Sequence, residues 1–160
     1  MRALNRFMNR QTGISLLEVM LSLSIIAIIL VMATRYFFVA SNNQNVNKVR
    51  GQIGTVVSAL QEYRNQNPNY ASVSLNVLVV GGFVPQNNDV SGSAGSYVLN
   101  NPWNSPITVT PTGSNNGATV STVLQSDTDC KALAAGYATA NGTCAGTGNT
   151  TFTVTVGQTT

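Results

Sequence analysis

Residues 10–33 read RQTGISLLEVMLSLSIIAIILVMA. From Ile14 to Ala33 only Ser15, Glu18, Ser22 and Ser24 interrupt the apolar run. Twenty helical residues rise about 30 Å, the thickness of a bilayer's hydrocarbon core. Arg2, Arg6 and Arg10 precede the run. Bases on that side stay cytoplasmic, so the rest of the chain is expected across the membrane. A secretory signal peptide has a shorter apolar core with its small-residue cleavage site after it. Here the small residue, Gly13, comes before the run. A cut there would remove the basic segment and leave the membrane helix on the mature chain.

Glu18 is the anomaly in this stretch. A carboxylate inside a bilayer costs about 2.5–3.5 kcal/mol even on lenient scales, so such residues normally have partners. Cleavage after Gly13 would create one, because an α-amino group has a pKa of about 7.7–8.0. The amine of Ile14 and the Glu18 side chain lie four residues apart, on one helical face. The competing reading is a carboxylate that reaches the headgroups or takes up a proton.

The helical pattern continues past the membrane. Val46, Val49, Ile53, Val56, Leu60 and Tyr63 recur every three or four residues, with Asn47, Lys48, Arg50, Gln52, Glu62 and Arg64 between them. Such a helix buries one face and wets the other. Pro68 ends it, since the residue before a proline is steered out of helical geometry. A continuous helix from Ile14 to Asn65 would be about 78 Å long. Gly51 and Gly54 are its expected soft points. Arg35, followed by Tyr36, Phe37 and Phe38, reads as an anchor at the membrane interface.

Beyond Pro68 the texture changes to Gly, Asn, Thr and Ser. A short helix is expected within residues 72–85, capped by Ser72 or Ser74 and ended by Gly81-Gly82. Strands are expected over residues 96–99, 107–110, 118–124 and 151–156, the last from the alternation in TFTVTV. A second short helix is expected in DTDCKALAAGYA, capped by Ser126 or Asp127. The class is therefore α+β.

Charged residues make up 8% of the chain and His is absent, against about 25% charged residues in an average soluble protein. The net charge of +3 resides in the leader. After a cut at Gly13, five bases (Arg35, Lys48, Arg50, Arg64, Lys131) balance five acids (Glu18, Glu62, Asp89, Asp127, Asp129). No clustered basic surface is left for nucleic acid. Without His the commonest general base is missing, and no enzyme, cofactor or metal is expected. Asp127 and Asp129 offer too few oxygens for calcium, which takes six to eight, and N-capping suits them better. Cys130 and Cys144 read as one disulfide in an exported domain, and as two thiols in a reducing compartment.

Gly13 followed by ISLLEVMLSLSIIAIIL resembles the leader and N-terminus of type IV pilins and their pseudopilin relatives. The resemblance implies that a prepilin peptidase cuts after Gly13 and methylates the amine of Ile14. It places Glu18 at the fifth mature position, where the family's glutamate is thought to meet the amine of a neighbouring subunit during assembly. NNPWNSPITV, residues 100–109, resembles a PWG-P type segment of pilin heads, with Asn104 where Gly is usual. Ile14 in place of Phe, the absent Pro near Arg35 and the helix beside the cysteines point to the type IVb branch. The implied domains are a leader, 1–13, a transmembrane and assembly helix, 14–40, and a head, 41–160. The head would combine the amphipathic half of the long helix with a small antiparallel sheet and a disulfide-bounded C-terminal region. The implied function is that of a filament subunit for adhesion, aggregation, motility or DNA transfer. Its implied partners are copies of itself, the prepilin peptidase and the inner-membrane assembly machinery. The precursor would sit in the inner membrane with its head periplasmic, and the mature subunit in an extracellular pilus. The alternatives are a type II secretion pseudopilin, a minor pilin or, outside the family, a membrane-anchored periplasmic binding module.

Overall fold

The computed structural model describes residues 15–87 and 89–157. The chain forms two compact units, Met1–Ser41 and Asn42–Thr160. Helix α1, Leu16–Gln66, contributes to both. In the first unit α1 has no covered face, and its side chains from Leu16 to Val39 are exposed.

In the second unit α1 turns a stripe inward. Val46, Val49, Gln52, Ile53, Val56, Ala59, Leu60 and Tyr63 are buried. The six apolar positions expected from the periodicity are all among them. Tyr63 ends the stripe with its ring edge-on to Phe83 at 5.7 Å and stacked near Tyr70 at 6.3 Å. The helix stops at Gln66, and Asn67, before Pro68, donates its N–H to the Tyr63 carbonyl.

The stripe packs on a six-stranded antiparallel sheet in the order β1-β2-β3-β4-β6-β5. The strands are β1 Val90–Ser91, β2 Val98–Asn100, β3 Pro106–Pro111, β4 Gly117–Leu124, β5 Thr143–Ala145 and β6 Thr150–Gly157. Strands β4 and β6 pair over their full length, from Gly117 opposite Gly157 to Leu124 opposite Thr150. Alternation sends Ala118, Val120, Thr122 and Leu124 inward, with Phe152, Val154 and Val156. The opposite face carries Thr108, Ser121, Thr153 and Thr143 in one cross-strand row. Hydroxyl contacts of 2.7 Å join Thr108 to Ser121 and Thr143 to Thr153. The pleat thus separates an apolar inner face from a hydroxyl outer face.

Two short helices close the edges. Helix α2, Leu75–Val80, is capped by Ser74, whose Oγ accepts the Val77 N–H, and it ends at Gly81. Helix α3, Asp127–Ala135, is capped by Ser126, whose Oγ accepts the Asp129 N–H. A 3-10 turn, Ala138–Ala140, follows α3. Of the two candidates for each cap, Ser74 and Ser126 supply it. Strands β1 and β5 lie outside the expected segments. With two and three residues they carry no alternation long enough to read, and their pairing partners define them.

Cys130 on α3 and Cys144 on β5 form a disulfide, with Cα atoms 6.0 Å apart and a sequence separation of 14. The bond staples α3 to the sheet's outer strand. Such a loop contributes about 3 kcal/mol in the chain-entropy account. The Cys130→Ser/Cys144→Ser double variant is expected to lose that amount, measured by urea unfolding of the full chain in detergent.

The two glycines of α1's second half differ. A Cβ at Gly54 would meet the Tyr137 hydroxyl at 3.5 Å, whereas one at Gly51 would meet nothing within 4 Å. Tyr137 crosses over Gly54 and donates its hydroxyl to the Arg50 carbonyl at 2.8 Å, and Arg50 Nη2 donates to the Ala132 carbonyl. The helix runs unbroken through both glycines, so neither expected soft point interrupts it, and Tyr137 lies over Gly54 at ordinary contact distance. Burial pushes the Tyr137 phenol above its ordinary value, and the Arg50 charge pulls partly back. Tyr70 behaves alike, raised by burial and opposed by Arg64. Raised folded-state values mean stability that is intact below the unfolded value of about 10 and lost as pH climbs through the folded ones. The thermal midpoint is expected to fall above about pH 10, and less steeply in Tyr137→Phe.

Candidate functional site

The candidate site is the bare half of α1. Serine and threonine within it satisfy themselves. Ser22 Oγ donates to the Val19 carbonyl at 2.8 Å, Ser24 Oγ to Met20 and Leu21, and Thr34 Oγ1 to Leu30 and Val31, both at 3.0 Å. Back-bonding of this kind hides hydroxyls from an apolar surrounding. Glu18 has no such device. It stands in the first turn of α1, where unpaired backbone N–H groups favour negative charge. The Glu18 and Val19 N–H groups reach the Ser15 carbonyl at 3.0 and 3.2 Å. Among the described residues neither Glu18 nor Arg35 has an ion-pair partner. Gly13 and Ile14, the expected cleavage and methylation positions, lie outside the described residues.

This surface is long, apolar and uncovered. Leu21, Ile25, Ile28, Ile29 and Met32 are each at least half exposed. By length and composition α1 qualifies to cross a membrane. Exposed apolar area on this scale demands lipid or protein around it. Arg35, Tyr36, Phe37 and Phe38 follow the run, with the two phenylalanine rings edge to face at 6.3 Å.

In the head, the acids considered for calcium are engaged otherwise. Asp127 pairs with Lys131 one turn along α3, and Asp129 accepts from the Asn42 amide. Among the described residues no three potential metal ligands cluster.

Sequence reasoning missed Asn101. Its side chain is buried and makes four hydrogen bonds. Oδ1 accepts the N–H groups of Trp103 at 3.0 Å and Ser105 at 2.9 Å. Nδ2 donates to the Val123 carbonyl at 2.8 Å and to Thr122 Oγ1 at 3.1 Å. The turn between β2 and β3 is thereby wound around one amide and bolted to β4. Asn104 in this turn has a φ of 60°. That left-handed geometry suits Gly, and Asn tolerates it better than most residues, which accounts for Asn at the place where the resembling segment has Gly. The signal that could have revealed Asn101 is an Asn directly before Pro in a turn-rich segment, a setting where Asx side chains bind backbone amides two residues on.

Residues 8–34 match the prokaryotic N-terminal methylation motif. The comparisons with curated proteins and with solved structures give no match. The motif covers the leader's end, the expected cut and most of the bare helix. The long helix, small antiparallel sheet and Cys130–Cys144 bond have the α+β form of a pilin head. The motif and the fold together support a type IV pilin/prepilin-like protein.

Proposed function

We propose that the chain is a structural subunit of a type IV pilus, of the type IVb branch, cut after Gly13 and N-methylated on Ile14. Its helix serves twice. In the precursor it anchors the chain in the inner membrane with the head on the periplasmic side. In the filament the same surface packs against copies of itself. The observation that carries this reading is the methylation motif at the head of a helix whose apolar side chains have no cover. A motif alone fits any anchored precursor, and a bare helix alone fits any membrane anchor. Their coincidence favours a rod that exchanges lipid for like rods. Glu18 is then the register element, opposite the amine of a neighbouring subunit, since non-directional burial cannot fix axial position and a charge pair can.

The pilin is favoured over a type II secretion pseudopilin by the disulfide and by the engagement of Asp127 and Asp129 within the head. No catalytic role is assigned, and the partners are the prepilin peptidase, the assembly machinery and other copies. Mass spectrometry of material sheared from the cell surface tests the reading. The expected mature chain begins at Ile14 and carries one methyl group on its amine. A chain that retains residues 1–13 in every fraction overturns it.

A further inference from the structure

A cavity of about 290 Å³ opens beside the second half of α1, with Lys48, Gly51, Gln52, Thr55, Asp89 and Leu99 on its walls. It lies wholly within the head unit. Two features of it have no structural purpose in the fold described above. Gly51 sits in mid-helix, where glycine is less stable than alanine by about 0.5–1 kcal/mol. Nothing approaches closely enough to require it, since a Cβ there would meet nothing within 4 Å. At its neighbour Gly54 a Cβ would come into ordinary contact with the Tyr137 hydroxyl, at 3.5 Å. Gln52 is 93% buried, and its Nε2 donates to the Asn100 carbonyl at 3.0 Å. Its Oε1 is buried with no hydrogen-bond partner among the described residues. A buried acceptor left unmatched destabilises the fold unless something supplies a donor.

We propose that this cavity is a binding site for a neutral, polyhydroxylated small molecule of monosaccharide size. The walls set the chemistry. Lys48 and Asp89 pair at 2.7 Å, so the site's opposite charges are already matched and a charged ligand gains little. Hydroxyl groups can both donate to the Asp89 carboxylate and accept from the Lys48 ammonium. A hydroxyl would also supply the donor that Gln52 Oε1 lacks, which requires the Gln52 side chain to turn that buried oxygen toward the cavity. Leu99, almost fully buried, gives the cavity an apolar edge. Gly51 keeps the helix side of the cavity open. The walls all belong to one subunit, so binding can be read on single subunits.

The test is an NMR titration of the full-length chain in a zwitterionic, sugar-free detergent. The probes are D-glucose, N-acetyl-D-glucosamine and myo-inositol. Saturable shifts of the Gln52 side-chain amide signal are expected for at least one probe, with a Kd on the order of 1–10 mM. Gly51→Leu fills the cavity from a helix position with open space, so it should fold at least as well as the parent and lose binding. Gln52→Leu should weaken binding about tenfold, the equivalent of one hydrogen bond. No saturable shift with any probe overturns the proposal, and so does undiminished binding in Gly51→Leu. If no probe binds and Gly51→Leu blocks filament formation, the gap belongs to a contact between copies and the proposal fails.

Discussion

Asn101→Leu is expected to destabilise the head by about 3–5 kcal/mol, more than loss of the disulfide. Leucine shares asparagine's branching and number of heavy atoms, although its methyl groups are bulkier than the amide they replace. What changes is the hydrogen bonding of four groups at once. The Trp103 and Ser105 N–H groups lose their acceptor, and the Val123 carbonyl and Thr122 hydroxyl lose a donor. Each buried group left unpaired costs about 1–3 kcal/mol. Part of that is recovered where Trp103 and Ser105 reach solvent at the turn's half-exposed rim. Asn101→Asp separates the two halves of the network. It keeps the acceptor for the turn but sets a carboxylate against the Val123 carbonyl. In its protonated form that acid can donate, so burial raises its folded-state pKa. The variant's stability is then present at low pH and lost as pH rises through the folded value. Urea unfolding should find Asn101→Asp closer to the parent at pH 4 than at pH 7. Equal stability of Asn101→Leu and the parent would mean that the turn does not depend on this amide.

How much of this was legible in the sequence depended on the range of the interaction. The stripe from Val46 to Tyr63 was readable because helical period and burial coincide in one segment. The membrane half was readable from its run of apolar residues, and the caps of α2 and α3 from serines beside apolar or acidic starts. Strands β4 and β6 showed in the alternation of ATVSTVL and TFTVTV. Strands β1 and β5 were hidden because a two- or three-residue strand is created by its neighbour: Val90 and Ser91 are a strand only opposite Leu99 and Val98. Asn101 was hidden for the same reason, since two of its partners lie 21 and 22 residues away. Gly51 and Gly54 look identical in sequence, and only the position of Tyr137, more than eighty residues later, separates them. At the candidate site the order was reversed. Gly13, Ile14 and Glu18 were named by residue type, spacing and the resemblance they carry, and the fold adds the bare surface around Glu18.

Glu18→Ala is expected to abolish filaments while leaving the subunit made, membrane-inserted and cut after Gly13. Alanine suits a helix better than glutamate does and belongs more comfortably in lipid. The precursor should therefore be at least as stable in the membrane as the parent. The defect appears on assembly. Within a core of apolar helices the amine of Ile14 remains, and its neighbour no longer offers an anion. Removing one partner of a buried charge pair costs about 3–5 kcal/mol, because the other is left desolvated and uncompensated. That is at least about a hundredfold in each subunit's addition constant, and it recurs at every step of growth. Sheared-filament yield should fall below detection, while the amount of cleaved subunit in the inner membrane stays constant or rises. Glu18→Gln sharpens the reading. It retains an acceptor for the amine without a charge, so it should assemble poorly yet better than alanine. A carboxylate that merely touched headgroups would predict filaments from all three chains in equal yield. Normal filaments from Glu18→Ala, with Ile14 methylated, would show that something other than this acid sets the register of the rods.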